Sequence, residues 1–144
     1  MADVVVITGD QLKVSIAPPT LIPQLQVSVP LTGSSASMRV EGAPVCLRGD
    51  ELPIALRVPL EYTAPPFTIP GIGMLTLSIL PQNFTQLTTN QGKPLLIRGG
   101  TFPALFTVQT PAMQPTPAGP IPDPQVQKQG TAQFICSNTT VIAG

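Results

Sequence analysis

Short apolar stretches, glycine turns and prolines alternate along almost the whole chain. The recurring form is an apolar stretch, a glycine-centred turn and a second apolar stretch, as in V-V-V-I-T-G-D-Q-L-K-V-S-I from Val4. Nineteen prolines interrupt the chain, and each one removes a backbone donor and breaks a helix interior. The proline-free windows 31–43, 82–93 and 125–144 are rich in Thr, Ser, Gly, Gln or Asn rather than in helix formers. The pattern predicts an all-β protein of short strands joined by tight turns.

The same unit occurs three times. Residues 42–58 read G-A-P-V-C-L-R-G-D-E-L-P-I-A-L-R-V and residues 92–108 read G-K-P-L-L-I-R-G-G-T-F-P-A-L-F-T-V, so that Gly, Pro, Arg, Gly, Pro and Val coincide without a gap. The stretch from Val4 overlays the stretch from Pro44, which makes Gly9, Gly49 and Gly99 equivalent. We predict one domain, 1–144, with repeat units of approximately 1–42, 43–92 and 93–144.

Each unit is expected to form a hairpin around its glycine, because glycine readily adopts the positive φ that a tight turn requires. The predicted turn positions are Gly9, Asp10, Gly49, Asp50, Gly99 and Gly100. A proline-rich crossing follows in each unit, at 18–30, 59–70 and 111–124, and leads to a further strand at 36–40, 74–80 and 132–136. One hairpin cannot bury its apolar faces alone, so the three must share a core. The expected shape is a compact cone or triangular prism of short strands and hairpins with an internal pseudo-threefold repeat.

The composition favours burial against another protein. Charged residues make up 10% of the chain, against about 25% in an ordinary soluble domain, and the mean hydropathy is +0.30. An internal threefold repeat would let one chain match the end of a homotrimer. Seven acidic and seven basic side chains without a basic run exclude a nucleic-acid surface, and no apolar run approaches the roughly 20 residues of a membrane-spanning helix.

The candidate chemistry is sparse, and we expect no catalytic residues and no cofactor. The chain has no histidine, and Asp50 and Glu51 are neighbours in a turn, where we expect solvated charges. Cys46 and Cys136 could form a disulfide, part of a metal site or two core positions. A zinc site normally needs four protein ligands, of which the cysteines supply at most two. Because Cys46 is equivalent to Val6 and Leu96, the core interpretation is favoured.

Other conspicuous residues are interpreted as turn chemistry or as contacts. Arg48 and Arg98 are equivalent, so either each pairs with a carboxylate in its own unit or both face acidic groups on a partner. Arg48-Gly49-Asp50 spells the integrin-recognition tripeptide, but Thr8-Gly9-Asp10 occupies the same place in the first unit, which favours a turn. The N-glycosylation triplets at 83–85 and 138–140 are expected to be unmodified turn residues.

The segments G-A-P-V-C-L-R-G-D-E at 42–51 and T-I-P-G-I-G-M-L at 68–75 resemble the PAAR-like spike-tip proteins of contractile injection systems. The resemblance implies a small β-rich cone, present as one copy on a homotrimeric spike of the VgrG or hub type, that sharpens the spike for puncturing a target membrane. It also implies a structural protein without a small-molecule substrate. Synthesis in the bacterial cytoplasm is expected, because no signal-like stretch begins the chain.

This chain departs from that family in its candidate metal ligands. PAAR proteins usually hold a metal through histidines and a cysteine, and both the histidines and the Pro-Ala-Ala-Arg tetrapeptide are absent here. We therefore expect no family-type zinc site. A self-associating shell, fibre or adhesin subunit is the alternative, since homotypic contacts would explain the same hydrophobicity.

Overall fold

The computed structural model describes residues 3–136 and 141–144. The prediction of an all-β protein is confirmed, since the helices in the described residues are single 3-10 turns at Pro23–Leu25, Ile54–Leu56 and Pro81–Asn83. The strands are β1 (Asp3–Val4), β2 (Gln11–Ile16), β3 (Val29–Pro30), β4 (Arg39–Val40), β5 (Ala43–Pro44), β6 (Leu60–Ala64), β7 (Phe67–Leu77), β8 (Phe84–Asn90), β9 (Lys93–Leu96), β10 (Phe102–Thr110), β11 (Met113–Gln114), β12 (Ile121–Pro122), β13 (Gln127–Ile135) and β14 (Ile142–Ala143).

One curled antiparallel sheet dominates the molecule. Its strand order is β12-β11-β7-β10-β13-β2-β3, and β6 pairs with β7 as well. Strand alternation supplies its buried face, since Phe102, Ala104 and Phe106 of β10 and Ala132 and Phe134 of β13 are all buried. The larger hydrophobic core lies against this face.

Three small strand pairs complete the fold. β4–β5 and β8–β9 are hairpins whose two-residue turns, Glu41–Gly42 and Gln91–Gly92, have positive φ at both positions (51° and 84°, 55° and 75°). This is the type I′ geometry that matches the twist of paired strands. The third pair, β1–β14, joins the two ends of the chain and sets Val4 opposite Ile142.

The predicted strands and crossings are displaced in several places. The strand expected at 36–40 forms only over Arg39–Val40, and the one expected at 74–80 is the end of the longer β7. The crossing expected at 59–70 is wrong, because β6 and the start of β7 pair there around Pro65 and Pro66. These prolines fit because they sit in the hairpin turn, where no ladder donor is needed.

The predicted hairpins around Gly9, Gly49 and Gly99 are also wrong, although the chain turns at all three glycines and a backbone hydrogen bond closes two of these turns. Asp10 N–H donates to the Ile7 carbonyl at 3.0 Å, and the equivalent bond follows Gly49. Beyond the turns, however, β2 and β10 pair with other strands, and the second unit forms the 3-10 turn at 54–56. The segments before the turns cannot pair with them, because their backbone groups are bonded to the other repeat units.

The segments before the turns supply most of a second, smaller hydrophobic core. It contains Val5, Ile7, Val40, Val45, Leu47, Leu95 and Ile97. The alternate residues Val6, Cys46 and Leu96 face the larger core instead. No helix among the described residues is long and apolar enough to cross a membrane.

Candidate functional site

Three short segments, 4–7, 44–47 and 94–97, bond to one another in a closed cycle that we call the three-segment ring. Cys46 N–H donates to the Val6 carbonyl at 2.9 Å, and Leu96 N–H donates to the Cys46 carbonyl at 2.9 Å. Val6 N–H closes the cycle on the Leu96 carbonyl at 3.0 Å. These three residues hold the same position in the three repeat units, so each segment gives its neighbour the same backbone groups.

Two more sets of contacts repeat the same cycle. The backbone bonds Thr8 N–H to Pro44 O, Arg48 N–H to Pro94 O and Arg98 N–H to Val4 O are each 2.9 Å long. The β-bridges join Val5 with Ile97, Ile7 with Val45, and Leu47 with Leu95. Every member of each set lies at matching repeat positions, so the cycle extends over the whole ring.

Aspartates support the ring at two of its three turns. Asp10, which is 1% exposed, accepts the Ile7 N–H at 2.9 Å, and Asp50 accepts the Leu47 N–H at 2.8 Å. Asp50 also accepts the backbone and hydroxyl hydrogens of Ser34 at 2.9 and 2.7 Å. Asp50 is thus a half-buried turn charge whose carboxylate also fixes the turn to the ring.

The third turn has Gly100 at the aspartate position, and Asn83 takes over the hydrogen bonds that fix the turn to the ring. Ile97 N–H donates to the Asn83 carbonyl at 2.9 Å, and the Asn83 side chain donates to the carbonyls of Arg98 and Gly100 at 3.1 Å each. Gly99 (φ 55°) lies so close that an added Cβ would meet the Gln82 carbonyl oxygen at 2.0 Å. Asn83 is fully buried and replaces the missing aspartate; it is not a simple turn residue. Asn138 lies outside the described residues.

A pocket of about 320 Å³ opens at the end of the ring. We call it the end pocket, and it is lined by Val5, Met38, Arg39, Val40, Val45, Thr88, Leu95, Val141, Ile142 and Ala143. Val5, Val45 and Leu95 are equivalent, and the strand registers make Met38, Thr88 and Val141 equivalent as well. All three units therefore line it. Next to it, Leu87 is 91% exposed and Ile142 is 62% exposed.

A bulge in the pairing of β8 with β9 is bridged by a threonine hydroxyl. In the two equivalent strand pairs the bonds are Val5 N–H to Val141 O at 3.1 Å and Val45 N–H to Met38 O at 3.0 Å. In the third, the pairing of β8 with β9 shifts between Phe84 and Thr89, and Leu95 N–H donates to Thr85 Oγ1 at 2.9 Å. The Thr85 hydroxyl in turn donates to the Thr88 carbonyl. The side chain thus connects groups whose counterparts bond directly in the other two strand pairs.

The two equivalent arginines have different surroundings. The Arg48 guanidinium lies 4.6 Å from the centre of the Phe84 ring, whereas Arg98 pairs with Asp3 at 3.0 Å. Partial burial works to raise the pKa of Asp3, but hydrogen bonds from the Val4 and Gly99 amides and the Arg98 charge outweigh it, so that this pKa is lowered. The first of the two alternatives, pairing within each unit, is therefore wrong for Arg98, because Asp3 belongs to the first unit.

Both cysteines are free, which excludes the disulfide. Cys46 is fully buried in the larger core, as its equivalence to Val6 and Leu96 predicted. Burial, together with the Asp50 and Asp10 charges, raises the pKa of the Cys46 thiol to about 12. Burial and the Asp10 charge raise the pKa of Cys136 to about 12 as well. Within residues 3–136 and 141–144, no three Cys, Asp or Glu side chains gather as metal ligands.

A buried ionic network on the inner face of the large sheet was not predicted from the sequence. Lys128 Nζ lies 2.5 Å from Asp123 Oδ2, and Tyr62 Oη donates to the same oxygen at 3.0 Å. Burial works to raise the pKa of Asp123, but bonds from Lys128, the Gln125 amide and Tyr62 lower it overall. Burial raises the pKa of Tyr62. The alternation of residues along β13 could have revealed this network, because it places Lys128 on the same buried face as Phe134.

The whole chain matches one protein family. The model for contractile injection system spike tip proteins covers residues 1–144, while no curated protein matches the chain. Such a protein is a structural part of the injection particle, lies at its tip and associates with its spike. The match agrees with the resemblance carried by residues 42–51 and 68–75. The chain therefore belongs to the contractile injection system spike tip family.

Proposed function

We propose that one copy of this protein caps the end of a homotrimeric spike of the VgrG or hub type, and that the three-segment ring faces the spike. The observation that carries the proposal is the closed cycle of backbone bonds through Val6, Cys46 and Leu96. Such a cycle supports a pseudo-threefold axis through the ring. An axis of this kind offers each spike subunit an approximately equivalent contact.

The apolar surface at the ring end supports the same orientation. Leu87, Val141 and Ile142 are exposed beside the end pocket. Burying a large apolar side chain is favourable by about 1.5–3 kcal/mol. Covering this surface with a partner would therefore contribute several kcal/mol to the free energy of binding. Arg39 and Arg98 lie exposed near the same end and would suit acidic groups on the spike, as would Arg48.

The opposite end would then lead into the target membrane. β2 and β10 both start just after the ring turns and pair antiparallel with β13, so both run away from the ring. Pro18–Pro19 follows β2, and the hairpin turn at Pro65–Pro66 lies beyond the pairing of Ile72 with Thr110. The far end is therefore rich in proline, which limits backbone freedom. The proposed role is mechanical: the sheet transmits axial force and turns over no substrate.

Co-expression with the spike protein of the same particle tests the proposal. Native mass measurement should find one copy of this chain for three copies of the spike protein. The double variant Leu87→Arg, Ile142→Arg should weaken co-purification at least about tenfold, since it places charge in the interface. Ile121→Arg is the matched control, because Ile121 is 49% exposed at the far end. Homo-oligomers of this chain alone would instead support the shell, fibre or adhesin alternative.

We further propose that the tip works without zinc or another cofactor, is made in the bacterial cytoplasm and is delivered with the spike. Elemental analysis of the purified protein tests the first point. Substoichiometric zinc is the expected result. One zinc ion per chain that survives dialysis would contradict it.

A further inference from the structure

One edge of strand β2 has no neighbouring strand along more than half of the strand's length. β13 pairs with β2 from Gln11 to Ile16 on one side, whereas β3 covers only Gln11 and Leu12 on the other. Ala17 N–H donates to the Gln129 carbonyl at 2.9 Å, which extends the β13 pairing. Since bonded residues alternate in an antiparallel ladder, Val14 and Ile16 direct their N–H and C=O groups away from β13. Among the described residues, no backbone group bonds to them there.

This edge faces a slot of about 360 Å³. The outer wall of the slot is the segment 18–28, which returns over the edge through the 3-10 turn at 23–25. Ile22 and Leu25 provide apolar surface inside, and Leu21 and Val27 are 50% and 72% exposed at the rim. Lys13 is the charged residue that lines the slot, and it is exposed.

We propose that the slot binds an extended segment of a second polypeptide, which adds to the sheet as a strand beside β2. Backbone N–H and C=O groups that point into an apolar cleft are the feature used by strand addition. About three residues, spanning ~10 Å at 3.3 Å each, would reach from Val14 past Ile16. Because the wall at 18–28 lies beside the edge, one extended chain is favoured as the occupant over the broad sheet of a second copy. Lys13 favours an acidic side chain in the bound segment, and the bonding groups exclude proline at the paired positions.

Amide hydrogen exchange measured by NMR on the purified chain tests this, independently of any spike. The probe is the peptide acetyl-Val-Glu-Val-Thr-Val-amide, and its control is the same peptide with N-methylated amides. The probe should slow amide exchange at Val14 and Ile16 by about tenfold when the free peptide concentration reaches about nine times its Kd. The N-methylated control should leave exchange unchanged. Exchange at Ser15, whose amide already faces β13, should stay unchanged.

A variant pair isolates the edge itself. Ile16→Pro removes one outward donor at an edge position where proline is tolerated, and it should abolish the slowing at Val14. Ile16→Val keeps the donor and should preserve the slowing. Equal slowing by the N-methylated peptide, or none up to the solubility limit of the probe, would overturn the proposal. Slowing that depends on protein concentration without the probe would also overturn it, in favour of pairing between copies.

Discussion

Replacing Thr85 by valine should destabilise the protein markedly, because this hydroxyl bridges the bulge between β8 and β9. Thr85 is 2% exposed, and its oxygen accepts the buried Leu95 N–H at 2.9 Å while donating to the Thr88 carbonyl. Valine preserves the shape and removes both bonds. An unsatisfied buried donor costs about 1–3 kcal/mol and a lost hydrogen bond about 1 kcal/mol. The expected loss in free energy of unfolding is therefore about 2–4 kcal/mol.

Urea unfolding followed by circular dichroism measures this loss. With a slope of about 2 kcal/mol per molar urea, the midpoint should fall by about 1–2 M. Thr85→Ser keeps the hydroxyl and should lose less than half as much. Thr89→Val is the control on the same strand, because Thr89 is exposed. A Thr85→Val midpoint equal to that of Thr89→Val would refute the bridging role.

Three further changes test other parts of the structure. Gly73→Ala should cost at least about 1–3 kcal/mol of stability in the same unfolding assay, because the new Cβ would lie 2.6 Å from the Phe106 ring; unchanged stability would contradict the packing. Thr20→Val should raise the melting temperature, since the buried Thr20 hydroxyl has no partner among the described residues and its removal relieves about 1–3 kcal/mol; a lower melting temperature would contradict this. The pKa of Asp123 in the folded protein lies below its ordinary value of 3.8. The stability that Asp123 contributes should therefore be complete above pH 3.8 and lost as the pH falls through the folded pKa. Lys128→Met should lower the free energy of unfolding by about 3–5 kcal/mol at about pH 7, and an unchanged stability would contradict the buried pair.

The predicted repeat units rest on short-range requirements that recur along the sequence. The glycines of the Glu41–Gly42 and Gln91–Gly92 turns recur at the ends of the proposed units, where type I′ geometry needs positive φ. The core position of Cys46 followed from the apolar residues at equivalent positions. Local turn chemistry and side-chain volume are written directly in the sequence.

The pairing partners were not visible, because backbone bonds carry no side-chain signature. An apolar segment such as 44–47 can pair within its unit or with another unit, and the sequence favoured the shorter loop wrongly. The structural roles of Asp10 and Asp50 depend on that long-range pairing, since their carboxylates accept amides of the ring. The substitution of Asn83 for the missing third aspartate depends on it too. Such roles emerge only once the segments meet.

Cryo-electron microscopy of the assembled spike end tests the central claim most directly. We expect one copy of this chain on the threefold axis of the spike, with the turns at Glu41–Gly42 and Gln91–Gly92 toward the trimer and Pro65–Pro66 pointing away. Three copies arranged around the axis, or a single copy that meets the spike through its proline-rich end, would contradict it.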